Sequence, residues 1–330
     1  MRTSIRILGL AAATLVTAGT LAGCATSSGG GTDSAAAGFP LTFQNPWGEA
    51  VIDEKPQRVA VVDSVDLDIA LALGVEPVIS SVYGDYPLDP WTLDQLEELG
   101  IDELPTFDAT DGTDFEAVAA ADPDVILATS GWTLEDDYDK LAQIAPVVAW
   151  GPDQELTDLT WSDRTLLAGQ ALGLEDEAQA VVDEVTADFA AVAEAHPAWA
   201  GKTLTYSVMH PGGISYITYK GSDVTFFTDL GFTLPPQAAD YTGDDNTVSV
   251  ENIDALEADV LLVGYPFGDE GILTQDALES NALFQKLAVV EKGGYGILGD
   301  DVASPLAYPT PLSQTWVLGQ ITPLLEQVAG

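Results

Sequence analysis

Two histidines and one cysteine are the only imidazole and thiol side chains in this 330-residue chain, and they set the first limit on its chemistry. A zinc hydrolase or a three-histidine metal receptor requires clustered histidines. His196 instead abuts Pro197 at what reads as a helix end, where a cation near the dipole is explanation enough. His210 stands in the loop His210-Pro211-Gly212-Gly213, as either a ligand contact or an ordinary polar loop residue. Gly294-Tyr295-Gly296-Ile297-Leu298-Gly299 matches G-x-G-x-x-G. A dinucleotide site, however, needs a strand before the glycines, a helix opening on them and an acid about 20 residues on. Asp300-Asp301 and a proline-rich segment follow instead, so the motif reads as a turn. No G-x-S-x-G elbow is present, and no serine is singled out for a triad. Carboxylate pairs carry little information where 53 acids face 10 Lys and Arg. These residue types point to binding without bond-making, and to no metal held directly by protein atoms.

What remains is a set of aromatic residues and glycines at recurring places. The apolar runs Arg58 to Val62, Pro77 to Val82, Val125 to Thr129, Thr203 to Met209 and Val260 to Gly264 read as strands. They run into Asp63-Ser64, Tyr83-Gly84-Asp85-Tyr86, Ser130-Gly131-Trp132, His210 to Gly213, and Tyr265-Pro266-Phe267. In sheets of mostly parallel strands, ligands bind beyond the carboxyl ends. Phenol and indole edges there suit a bulky, partly apolar ligand. The candidate contacts are Tyr83, Tyr86, Trp132, His210, Tyr216, Lys220, Tyr241, Tyr265 and Phe267, with Trp91, Tyr219 and Tyr308 behind them. Any one of these serves packing as readily as contact; their coincidence at strand ends marks them as a group.

The element that must position two such groups is the stretch Trp161 to His196. It reads as a helix, a C′ glycine at Gly173, and a longer helix. Ala178, Val181, Val182, Val185, Phe189 and Val192 line one face of that second helix, acids Glu175, Asp176 and Glu177 crowd its first turn, and Pro197 stops it. At about 1.5 Å per residue it is a rod of roughly 33 Å. The halves on either side echo one another. Asp114-Phe115-Glu116-Ala117-Val118 leads into Val125-Ile126-Leu127-Ala128, and Ser249-Val250-Glu251-Asn252-Ile253 leads into Val260-Leu261-Leu262-Val263 at a constant offset. Leu73-Gly74-Val75 is echoed by Leu230-Gly231-Phe232. Alternating strands and helices make this an α/β protein of two Rossmann-like lobes, with mostly parallel sheets joined by a long rigid connecting helix.

Composition excludes several partners. The formal net charge of −43 opposes nucleic acid and anionic lipid surfaces alike. Arg2 and Arg6, an apolar run from Ile7 to Val16, and Leu21-Ala22-Gly23-Cys24 give the order of a secretory signal. The tetrad resembles the bacterial lipobox, whose cysteine is lipidated, and Cys24 so used leaves no thiol for a disulfide, metal or redox site. The expected organisation is a signal peptide over 1–23, a tether over 24–38, a lobe over 39–155, the connector over 156–200 and a second lobe over 201–330. The protein is then a monomer anchored by lipid to the outer face of the cell membrane.

A lipobox, a tether, two echoing lobes and a helical strut resemble the substrate-binding proteins of ABC importers. Lys55-Pro56-Gln57-Arg58-Val59, Leu71-Ala72-Leu73-Gly74, Phe115-Glu116 through Pro123-Asp124-Val125-Ile126, and Val248-Ser249-Val250-Glu251 narrow the resemblance to the iron-siderophore, haem and cobalamin receptors. The resemblance implies that Glu116 and Glu251 dock into basic pockets on a permease dimer; acids at helix starts also suit capping. Haem receptors of this class use His or Tyr as axial ligands, a role open to His210 with Tyr83 or Tyr86 opposite. Catecholate receptors present several cations, whereas this chain keeps eight basic residues without Arg2 and Arg6. A ferric siderophore of hydroxamate type is the favoured ligand, with haem or cobalamin as the alternative and a secreted lipoprotein enzyme further behind.

Overall fold

Alternating apolar positions from Leu41 to Ile52 make the hairpin that opens the fold, β1 (Leu41–Asn45) against β2 (Gly48–Ile52). Its turn is closed by the Asn45 side chain, whose Oδ1 accepts from the amides of Trp47 at 3.0 Å and Gly48 at 2.8 Å. The structure, a computed structural model, describes residues 38–218, 223–241 and 246–330.

The first lobe is a parallel sheet of short strands. β3 (Val59–Val61), β6 (Val125–Leu127) and β7 (Val147–Val148) pair in that order, as do β4 (Ser80–Val82) and β5 (Thr106–Asp108). The bridge Ala60 to Ile79 joins the two sets, giving the order β5-β4-β3-β6-β7. Period-two alternation sends Val59, Val61, Val125 and Leu127 to one face and Ala60 and Ile126 to the other. The first face is covered by α1 (Ser64–Ala72), the second by Val118 of α3 (Phe115–Ala120) and by α4 (Leu134–Leu141). A further helix, α2 (Pro90–Leu99), packs on α1.

The strut follows as α5 (Trp161–Leu172) and α6 (Glu175–Ala195), split at Gly173, whose φ of 61° is the left-handed cap expected. The two helices touch so closely that a Cβ on Gly169 would lie 2.3 Å from that of Ala178. Ala178 and Val181 of α6 belong to the first lobe's core, and Val185, Phe189 and Val192 to the second's. One amphipathic face therefore serves two cores in succession.

The second sheet has the order β10-β9-β8-β11-β12, made of β8 (Leu204–His210), β9 (Gly213–Tyr216), β10 (Thr247–Val248), β11 (Val260–Gly264) and β12 (Tyr295–Leu298). β8, β11 and β12 run parallel, and β9 is antiparallel to β8 and β10. One face is covered by α6 together with α7 (Asp223–Asp229), α10 (Asp300–Ala307) and α11 (Pro311–Val328). The other carries α8 (Gln275–Glu279) and α9 (Ala288–Glu291). No described helix is long and apolar enough to cross a membrane.

The internal echo is physical. Asp124 accepts the amides of Gln57 and Arg58 before β3, and Asp259 accepts that of Thr203 before β8. Gly74 and Gly231, with φ of 72° and 94°, close α1 and α7 with matching bonds, Val75 N to Ala70 O and Phe232 N to Phe227 O. The echo is inexact at Val250–Leu256, where 3-10 turns kinked at Asn252 stand in for an α-helix. The glycine motif at 294–299 is also different from the turn expected: its centre is strand β12, and Gly299 caps α10. A Cβ on Gly296 would lie 2.9 Å from Leu324 of α11, so that glycine admits a helix against the sheet. Residues 281–287 form only the 3-10 turn Phe284–Lys286.

Candidate ligand-binding site

The carboxyl ends of the strands carry aromatic side chains, but a set of buried acids fixes the loops that hold them. Asp63 ends β3 and caps α1, accepting the Val65 amide at 2.9 Å. Asp66 accepts the Thr129 hydroxyl at 2.6 Å and the Ser130 amide at 3.4 Å, which ties down the loop running to Trp132. Arg164, reaching from the strut, donates Nε to the Thr129 carbonyl at 3.3 Å and a terminal nitrogen to the Leu156 carbonyl at 2.9 Å. Burial, and then the neighbouring Asp66, pushes the Asp63 carboxyl up to about 7, and burial likewise raises Asp66. The Tyr83 loop is anchored differently. Asp108 accepts the amides of Gly84 at 3.0 Å and Thr110 at 2.9 Å; bonds from Thr110, with that of Gly84, hold its carboxyl below the usual range.

On this frame Tyr83 is 45%, Tyr86 83% and Trp132 63% exposed. The second lobe contributes Tyr308, at the end of α10, whose ring meets that of Trp132 edge to face with centroids 6.5 Å apart. Burial, then Asp63 and Tyr308, raises the Tyr83 phenol, so the three aromatics and the acid form one neighbourhood. A cavity of about 50 Å³ lies between Asp63, Tyr83, Thr113 and Trp132, and one of about 110 Å³ between Asp68, Trp91, Ser304, Tyr308 and Thr310. The second draws its lining from both lobes.

Beneath it, Asp68 is buried and accepts from Trp91 Nε1 at 2.7 Å, Thr92 Oγ1 at 2.6 Å and Thr310 Oγ1 at 2.8 Å. Burial pushes it up to about 6 against the pull of those bonds. Thr310 is the N-cap of α11, so this carboxyl fastens the terminal helix to α1 of the first lobe.

The other expected contacts scatter. Phe267 is 54% exposed after β11, on a loop whose Pro266 carbonyl accepts from Ser304 at 3.5 Å. His210 is half-buried with both ring nitrogens engaged in its own hairpin: Nδ1 accepts the Gly212 amide at 3.2 Å, which leaves Nε2 to donate to Ser215 Oγ at 3.0 Å. Tyr241 is half-buried and stacks on Tyr216 at 5.1 Å. Tyr216 has no exposed surface and bonds Thr205 at 2.9 Å; Tyr265 is buried in the same core. Both stand apart from the open aromatics: a strand-end position does not say which face of the sheet Tyr265 enters, and Tyr216 belongs to β9, which runs antiparallel to its neighbours. Lys220 and Tyr219, like Cys24, lie outside the described residues. Trp91, buried, and Tyr308 gain importance. The acids Asp66 and Asp68 were not singled out from sequence, although two carboxylates in the otherwise apolar run Val65 to Leu71 are a signal.

Glu116 and Glu251 are both exposed in the first turn of their segments, without a basic partner among the described residues. No group of described His, Cys, Asp and Glu residues has the arrangement of a metal site.

A profile of the periplasmic binding protein family matches residues 59–295. Among solved structures, PiaA of Streptococcus pneumoniae in complex with ferrichrome is 29% identical, with a TM-score of 0.73 over 87% of this chain and 98% of that one. A periplasmic solute-binding protein of Mycobacterium smegmatis is 27% identical, with a TM-score of 0.73 over 88% and 99%. SirA of Staphylococcus aureus, complexed with staphyloferrin B, shares the fold at 21% identity, with a TM-score of 0.69 over 88% and 100%. A match that begins in β3, ends in β12 and takes in the strut between them makes this chain a member of the periplasmic binding protein family, a binding protein and not an enzyme.

Proposed function

We propose that this protein is the extracytoplasmic receptor of an ABC importer for a ferric siderophore, of hydroxamate type, held between the two lobes. The observation that carries the reading is the open aromatic group of Tyr83, Trp132 and Tyr308, to which both lobes contribute. Flat, apolar surface with phenol edges covers the organic shell of a chelate, while the siderophore's own oxygens keep the iron. Neither cavity there is lined by a Lys, Arg or His, which favours a neutral or cationic complex over an anionic catecholate. The likeness to PiaA, which binds ferrichrome, supports the same ligand class.

In this reading Cys24 bears the lipid that keeps the receptor at the membrane surface, and the protein works as a monomer. Glu116 and Glu251 meet the permease, one from each lobe. Haem as the ligand is less favoured because both nitrogens of His210 already have partners. The test is titration of the intrinsic tryptophan fluorescence with ferrichrome and with its iron-free form. Saturable quenching by the ferric complex alone is expected. Absence of quenching across hydroxamate, catecholate and carboxylate complexes overturns the reading, and a Soret shift with haem that His210→Ala removes would replace it.

A further inference from the structure

A larger depression lies between α2, α6 and α11, and none of its lining residues comes from the strand-end loops. Its volume is about 550 Å³. Trp91, Trp316, Leu312, Val181 and Val185 make the floor. The two indoles pack with centroids 5.1 Å apart. Trp91 is held in place by its bond to Asp68, whereas Trp316 is half-buried and keeps part of its ring open to the groove.

Four carboxylates stand around this floor, Asp94 and Glu98 on α2 and Glu184 and Asp188 on α6. No Lys, Arg or His lines the groove, and the one ion pair among the described residues is the distant His196–Glu326. Acids are common everywhere on this chain; an indole floor beneath four uncompensated acids is not. The negative face of an indole attracts a cation, and the carboxylates reinforce it, while the aliphatic floor rewards an apolar body. A small hydrated cation leaves that floor uncovered, and an anion is repelled by the rim.

We propose that the α2–α6–α11 groove, which shares only Trp91 with the cavities of the strand-end cleft, is a second binding site, for an apolar organic cation of the quaternary onium or cationic aromatic class. The inference stands whether or not the cleft takes a siderophore. The probe is tetraphenylphosphonium, compared by calorimetry with tetraphenylborate, an anion of the same shape. The cation binds saturably at one site and the borate does not. Trp316→Ala weakens binding by about tenfold, between the scale of an exposed and that of a desolvated cation–π contact, as suits a half-buried ring. The variant Glu98→Gln, Glu184→Gln, Asp188→Asn, confined to groove-rim carboxylates, weakens it similarly and guards against a folding defect in the first. Neutralising three exposed acids of α4 (Glu135→Gln, Asp136→Asn, Asp139→Asn) leaves binding unchanged, as does Trp132→Ala in the cleft. Equal binding by the groove variants, equal binding of the borate, or loss of binding in either control overturns the proposal.

Discussion

Replacing Trp132 with alanine is the sharpest probe of the proposed cleft. The side chain is 63% exposed, and a whole aromatic side chain covers about 150–250 Å², so about 130 Å² stands open to a ligand. A chelate that covers half of that removes about 65 Å² from water, worth about 1.6 kcal/mol at ~25 cal/mol per Å². The expected weakening of ferrichrome binding is about 15-fold in Kd. Tryptophan fluorescence is the wrong assay for this variant, because the substitution deletes a reporter; equilibrium dialysis with radioactive iron measures Kd directly. The melting temperature should hold, since so exposed a side chain adds little to the core. Trp132→Phe should recover most of the affinity, and Tyr308→Ala should fall in the same range by removing the opposing ring. Kd values within twofold of the parent for both Trp132→Ala and Tyr308→Ala would refute the idea that these aromatics contact the ligand.

Gly169→Ala should lower stability by about 1–3 kcal/mol, because its Cβ meets that of Ala178 at 2.3 Å; chemical denaturation measures the loss, and the added change Ala178→Gly should restore part of it. Asp63 is pushed up to about 7, so below the ordinary carboxylate range it is neutral in both states, and as pH rises to about 7 the unfolded chain loses its proton first and stability falls. Asp63→Asn keeps a cap for Val65 and removes that loss, so the melting temperature should rise at pH 8 and hold near pH 3; an unchanged pH profile contradicts the burial account. Reversing both Glu116 and Glu251 to lysine should abolish iron uptake by cells while leaving ferrichrome affinity intact, and reduced affinity instead would show that these acids act in the cleft.

Much of the architecture is written in local patterns. The apolar run of β11 and the acid that precedes it, the capping glycines Gly74 and Gly231, and the split of the strut at Gly173 all depend on neighbours within a few residues. The site is harder to read because it depends on direction. Tyr265 and Trp132 occupy equivalent places in a list of strand ends, yet one is in the core and the other largely in solvent. Tyr308 closes α10, and its partner Trp132 comes from the other lobe, so only the assembled fold brings them together. The same holds for Asp68 and Thr310, joined across most of the chain. The glycines of 294–299 mislead for a related reason: the central one, Gly296, admits Leu324 against the sheet, a contact made by a helix nearly thirty positions on.

The two lobes are braced more than once, and this bears on how the cleft works. α6 packs into one core and then the other, and α11 does so in the same sense, with Leu312 against the first lobe and Val317, Ile321 and Leu325 inside the second. At the point where α11 begins, Asp68 binds its cap residue, and Trp91 packs on Trp316 one turn further along. A large hinge motion would have to shear two helix interfaces and strip a buried carboxylate of one of its three donors, leaving a poorly satisfied acid at a cost of about 1–3 kcal/mol. Small adjustments of the exposed rings Tyr83, Trp132 and Tyr308 meet no such resistance. On the proposed reading the cleft is therefore largely formed before a ligand arrives, and affinity is expected to come from covering those rings and not from closing the lobes over them. If Glu116 and Glu251 meet a permease as proposed, bracing by the same helices predicts that the occupied and empty receptor present nearly the same pair of carboxylates to it.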